Sequence, residues 1–154
     1  MKKFLLILMS LLILLSFAGC GGKSEDVSID IDTLSNNIAE NGEFDDAISQ
    51  IGEDIAKGIY DAGDEVKCSA YAGTGATPEQ IAVFETGSED DAKTLKDNLD
   101  GYLEDQISQY SSYLPEQVPK LEDAYLEAKG KYVILCVSKN SQLVGEIVED
   151  VLTN

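Results

Sequence analysis

Hydrophobic spacing divides the chain into short segments. Val27, Ile29 and Ile31 alternate with Ser28, Asp30 and Asp32, which predicts an extended lead-in. Asp32 or Thr33 is placed to cap a short helix carrying Leu34, Ile38 and Ala39, which Asn41-Gly42 ends. Phe44, Ile48, Ile51, Ile55 and Ile59 recur at three- and four-residue spacing and predict a second helix, weakened by Gly52 and Gly58. Val66 to Ala72 then switches to a period of two. Val66, Cys68, Ala70 and Ala72 fall on one side, and Lys67, Ser69 and Tyr71 on the other, as in a strand.

Gly73-Thr74-Gly75-Ala76 reads as a turn, and Thr77-Pro78-Glu79-Gln80 as a capping box opening one helical turn. Ile81 to Thr86 is a second strand. Ser88 caps a long helix whose apolar stripe is Ala92, Leu95, Leu99, Tyr102, Leu103, Ile107 and Tyr110, with Glu89, Asp90 and Asp91 at its positive end. Leu114-Pro115 stops it, and Pro119 keeps the next stretch irregular. Ala124 to Ala128 and Lys131 to Ser138 flank Lys129-Gly130, a hairpin signal. A last helix starts at Asn140 or Ser141, with Leu143, Val144, Ile147, Val148 and Val151 inward.

This order predicts an α+β domain: N-terminal helices, then two strand-strand-helix units, with a mostly antiparallel four-stranded sheet packed on helices. Residues 31–154 are long enough for one such domain.

The segment ahead of it carries an address. Lys2 and Lys3 precede an apolar run from Phe4 to Phe17, interrupted only by Ser10 and Ser16, and Ala18-Gly19-Cys20 follow. A basic start, a short apolar core and small residues before a cleavage point form a secretory signal peptide, here residues 1–19. The run is shorter than the roughly 20 residues a membrane span needs. A Cys at the cut resembles the bacterial lipobox, in which that residue is diacylated; Phe17 stands where Leu or Val is usual. Residues 20–30 then comprise the lipidated Cys20 and a flexible tether, reaching about 35 Å at roughly 3.5 Å per extended residue. Two acyl chains anchor a protein stably.

Charge sharpens the picture. The chain carries 29 acidic and 11 basic residues, with no His, no Arg and no Trp. Loss of Lys2 and Lys3 with the leader makes it more negative still. Nucleic acid is excluded as a partner, because binding it requires clustered positive charge. An anionic leaflet would repel the polypeptide, leaving lipid as the membrane contact. Without His there is no Ser-His-Asp triad and no HExxH zinc helix.

Several segments carry a resemblance. Glu79-Gln80-Ile81-Ala82-Val83-Phe84 precedes the acid-capped helix, which ends in Tyr113-Leu114-Pro115-Glu116. Lys120-Leu121-Glu122-Asp123-Ala124 then leads to Gly130-Lys131-Tyr132-Val133. From about Ile31 to the C-terminus, with the lipobox in front, the chain resembles a family of small lipoproteins of clostridial-type Gram-positive bacteria, known only as a domain of unknown function. The resemblance implies a location and a fold type. It transfers no activity, catalytic residue or ligand.

Candidate chemistry is sparse. Cys68 and Cys136 suit either an exported disulfide or two buried thiols; the reducing surface that the resemblance implies favours thiols. The acidic groups Glu25-Asp26, Asp30-x-Asp32, Glu43-x-Asp45-Asp46, Glu89-Asp90-Asp91 and Glu149-Asp150 match no EF-hand spacing. Every acid that can be placed falls at a helix start, a polar face or a loop, so none has the apolar cleft that a general acid needs. Gly73-x-Gly75 lacks the Lys of a phosphate loop. Tyr71 and Tyr125, with Tyr132 nearby, lie opposite the small apolar strand residues, either as a recognition surface or as core edge with hydroxyls in water. Tyr110 and Tyr113 cluster at the end of the long helix.

The resulting expectation is a non-catalytic, lipid-anchored binding module at the extracytoplasmic face of the cell membrane. It meets the membrane through the lipid on Cys20 and engages an envelope protein or wall component, with no catalytic residue, metal or cofactor. The alternatives are a carboxylate-dependent hydrolase of wall glycan or peptide, and a cation-binding surface protein.

Overall fold

The computed structural model describes residues 28–153. The expected signal peptide, Cys20 and most of the expected tether lie outside the described residues. Eleven segments follow in order: α1 (Ile31–Asn41), β1 (Ser49–Ile51), α2 (Glu53–Tyr60), β2 (Lys67–Ala72), β3 (Gln80–Glu85), α3 (Glu89–Tyr113), a 3₁₀ turn (Pro115–Gln117), α4 (Val118–Glu122), β4 (Tyr125–Lys129), β5 (Tyr132–Val137) and α5 (Ser141–Thr153). The architecture is α+β, built on one antiparallel sheet of order β1-β2-β3-β5-β4.

The sheet has five strands rather than four. The extra strand is β1, whose Ile51 lies opposite Ala70 of β2. It arises inside the segment expected as one long helix from Phe44 to Ile59. Gly52 is extended there (φ −63°, ψ 145°) and separates β1 from α2. The amides of Asp45 and Asp46 are bound by a distant carboxylate, so they cannot serve a helix.

Helices cover both faces of the sheet. Cys68, Ala70, Ala82, Phe84, Val133 and Leu135 pack with α2, α3 and α4. Ile81, Val83, Tyr132, Ile134 and Cys136 pack on the other face with α1 and α5. This explains the unbroken apolar runs Ile81–Phe84 and Tyr132–Val137, in which every residue is buried. Such runs are usual in parallel sheets covered on both sides; here the same cover is laid on antiparallel strands.

Local signals account for the element ends. Ile29, within the stretch expected as tether, is buried. Asp30, two or three residues before the expected Asp32 or Thr33, caps α1 by accepting the Thr33 amide at 2.7 Å. Ser88 caps α3, accepting the Asp91 amide at 3.2 Å. Pro119 does not keep its segment irregular: it sits in the first turn of α4, where no amide is needed. The β4–β5 turn is Gly130-Lys131, with Gly130 at φ 57°.

Candidate functional site

Thr77-Pro78-Glu79-Gln80 opens no helix; its last residue begins β3. Glu79 instead turns its carboxylate inward, where it is fully buried. One oxygen accepts the Asp45 amide at 3.0 Å and the Lys120 ammonium at 2.9 Å. The other accepts the Asp45 and Asp46 amides at 2.9 and 2.8 Å and the Thr77 hydroxyl at 3.2 Å. This corrects the expectation that every acid lies at a helix start, a polar face or a loop. Apart from Thr77 the partners lie 33 to 41 residues away, so no local motif announces them.

The cluster staples the segment between α1 and β1 to the sheet end. Lys120 also reaches Asp45 at 2.7 Å, and Lys139 reaches the same carboxylate at 2.9 Å. Asp46 accepts the amide and hydroxyl of Thr74, each at 2.7 Å. Gly73 suits this approach, since a Cβ there would lie 2.9 Å from the Asp46 carboxylate, which would have to shift from Thr74. Burial pushes the Glu79 carboxyl up, but the Asp45 and Asp46 amides and the Lys120 ammonium outweigh it and hold it below its ordinary value. A general acid for glycoside cleavage requires the opposite shift. Glu79 is therefore built as an anion at neutral pH that organises backbone, and it is unsuited to giving up a proton there.

Beside it, Gln80 accepts the hydroxyls of Tyr60 from α2 and Tyr102 from α3, each at 2.9 Å, and donates to the Pro78 carbonyl at 3.1 Å. The two rings meet edge to face at 5.3 Å. These contacts fix Tyr60 as the inward row of α2, together with Ala56.

At the opposite end of β2 a groove of about 620 Å³ lies between the starts of α1 and α2. Beyond Ile51 strand β2 has no β1 partner, and the Cys68 amide bonds to Glu53 at 3.3 Å instead. Cys68 faces α2 and α3, whereas Cys136 faces α1 and α5, so the sheet separates them and both are free thiols. Burial pushes each thiol up to about 12, which suppresses the reactive thiolate.

The other candidates separate. Cys20 and Glu25-Asp26 lie outside the described residues. Asp30 caps α1, Glu89 to Asp91 occupy the start of α3, and Glu149 pairs with Lys129 at 2.8 Å. Among the described residues no group of three or more His, Cys, Asp or Glu side chains is arranged to hold a metal ion. Tyr71, Tyr125 and Tyr132 do share a sheet face, but α1 and α5 cover it; Tyr132 is buried and the others are half-buried. Core edge is thus their position, with the Tyr71 hydroxyl donating to Asn36 at 3.2 Å. Tyr110 and Tyr113 are ring neighbours at 5.0 Å.

What the spacing misdirected is the outer side of α2. Ile55 and Ile59 belong to the stripe expected to face the core, yet they are 62% and 45% exposed. Because Ala56 and Tyr60 take the inward positions, the helix turns its branched side chains to solvent. Only the deviation of the Ala56 and Tyr60 row from that stripe hinted at this in the sequence.

Fold and sites together define a small α+β domain with helices on both faces of an antiparallel sheet and a buried anion at one end. A family model, Domain of unknown function (DUF4358), matches residues 58–138, and the chain belongs to that family. The match holds Glu79, Gln80 and Lys120. Neither the curated proteins nor the solved structures contain a match to it. Among the described residues no helix is long and apolar enough to cross a membrane.

Proposed function

We propose that this protein is a lipid-anchored, non-catalytic binding module on the extracytoplasmic face of a Gram-positive cell membrane. The leader ending at Cys20 supports the location. The outward Ile55 and Ile59 carry the binding reading, because apolar side chains presented together on a rigid element favour protein contact. The buried Ile29 supports display close to the membrane: it stands nine residues beyond Cys20, a span of about 30 Å at most, at roughly 3.5 Å each.

The test is photo-crosslinking in intact cells, with a benzophenone amino acid replacing Ile59 in the full-length chain and, as a control, replacing exposed Asp97. The expected result is a discrete adduct from position 59 only, confined to membranes and lost to the medium with Cys20→Ala. Equal labelling from both positions, or membrane retention of Cys20→Ala, would overturn the reading.

A further inference from the structure

The binding reading leaves the partner's chemistry open, and α2 carries information on it. Its solvent side consists of two rows. Ile55 and Ile59 form one, at a four-residue spacing. Asp54 and Gly58 form the other, at a four-residue spacing, and Asp61 follows as the left-handed C-cap (φ 49°); all three are exposed.

Gly58 is out of place as a fold element. A helix interior disfavours Gly, yet a Cβ added at Gly58 would meet nothing within 4 Å, so no close approach inside the domain requires it. Its effect is outward: a notch beside the two isoleucines, where an incoming side chain can reach the helix backbone.

The surrounding charge has one sign. Glu53, Asp54, Asp61, Asp64 and Glu65 lie on or just after the helix, against one base, Lys57. That ammonium is turned away from the partner side, bridging Glu53 at 3.1 Å and the Asp64 carbonyl at 3.1 Å, with its side chain only 19% exposed. Neither Asp54 nor Asp61 is in an ion pair with a lysine among the described residues.

We infer that the outer face of α2 receives a basic amphipathic segment of another protein: an apolar side chain enters the Gly58 notch against Ile55 and Ile59, and Lys or Arg groups beside it meet Asp54 and Asp61. This rests on the binding reading above and names the partner's chemistry. A second copy is disfavoured because it would bring two negative faces together in a chain of net charge −18. Anionic lipid is disfavoured by the same sign.

The experiment uses the full-length chain in phosphatidylcholine nanodiscs, with empty discs as reference. The probes are an 18-residue amphipathic peptide of Leu and Lys and its counterpart with Glu for Lys, followed by fluorescence anisotropy. The Leu/Lys peptide is expected to bind and the Leu/Glu peptide not. Gly58→Leu fills the notch with a better helix former, so the fold holds while binding falls about tenfold. Asp54→Asn with Asp61→Asn weakens binding about fivefold and reduces its salt dependence. Undiminished binding by both variants would mean diffuse attraction to an acidic surface and would overturn the inference. So would no binding above empty discs; if the position-59 adduct in cells persists in that case, the module reading stands and only the basic chemistry falls. An adduct joining two copies through position 59 would reassign the face to self-association and equally overturn it.

Discussion

Helices α2 and α5 were drawn from the same kind of pattern and lie on opposite faces of the sheet. In α5 the pattern means what it usually means: Val144 and Val148 are fully buried, and Ile147 and Val151 pack partly against the same core. In α2 both isoleucines face water, and the inward side is Ala56 and Tyr60. The difference lies in what each helix packs against. Helix α5 covers β4 and β5, whose outward residues include Ile134, Cys136 and Tyr125. Helix α2 lies over β2, where Cys68 and Ala70 leave room for a tyrosine that reaches Gln80. An apolar stripe shows that a helix has an apolar side; the strand beneath decides which side is covered.

The same substitution on the two helices gives the sharpest contrast. Val148→Asp puts an unpaired carboxylate into a closed core and should cost about 4 kcal/mol or more. Loss of the cooperative urea transition at neutral pH is the expected outcome. A folded, cooperative Val148→Asp protein would break the comparison.

A smaller effect tests how the segment leading through β1 to α2 is held. Glu79→Gln keeps shape but removes the charge that binds the Asp45 and Asp46 amides and Lys120, at a cost of about 2 to 3 kcal/mol near neutrality. The loosening should appear in hydrogen exchange at β1 and the start of α2, with α5 unaffected. The pH dependence has a definite sign. Glu79 titrates lower in the folded chain than unfolded, so its stabilisation is present above about pH 4.5 and is lost as pH falls towards its folded value. Urea midpoints between pH 7 and pH 3 should therefore fall less in Glu79→Gln than in the natural chain. Parallel curves would refute this account of the cluster.

The smallest effect completes the contrast. Ile55→Asp and Ile59→Asp should each change stability by no more than about 0.5 kcal/mol. A thermal midpoint displaced by many degrees would show that the outer side of α2 is part of the core after all.

Much of the frame was legible from spacing. The stripe of α3 and its Ser88 cap, the strands around Ile81 and Val133, and the Gly130 turn all depend on contacts a few residues apart, where period and cap chemistry act directly. Strand β1 was hidden because Ser49-Gln50-Ile51 is too short to show a period, and its partners stand about 20 residues on. The Glu79 cluster was hidden for a related reason. Thr-Pro-Glu-Gln is locally a good helix start, and the competing amides come from a distant loop that no local pattern locates. The Gly73 contact with Asp46 belongs to the same long-range set.

The two-sided cover of the sheet also sets an order in time. The face lined by Ile81, Val83, Ile134 and Cys136 is closed by α1 and α5, which come from opposite ends of the described chain and pack against each other. The face under α3 can assemble once β5 has been made, because α2, α3 and α4 all precede it. The α1 face cannot: one of its walls, α5, follows β5 in the chain. A growing chain therefore carries a half-open apolar sheet until α5 has been made and can dock.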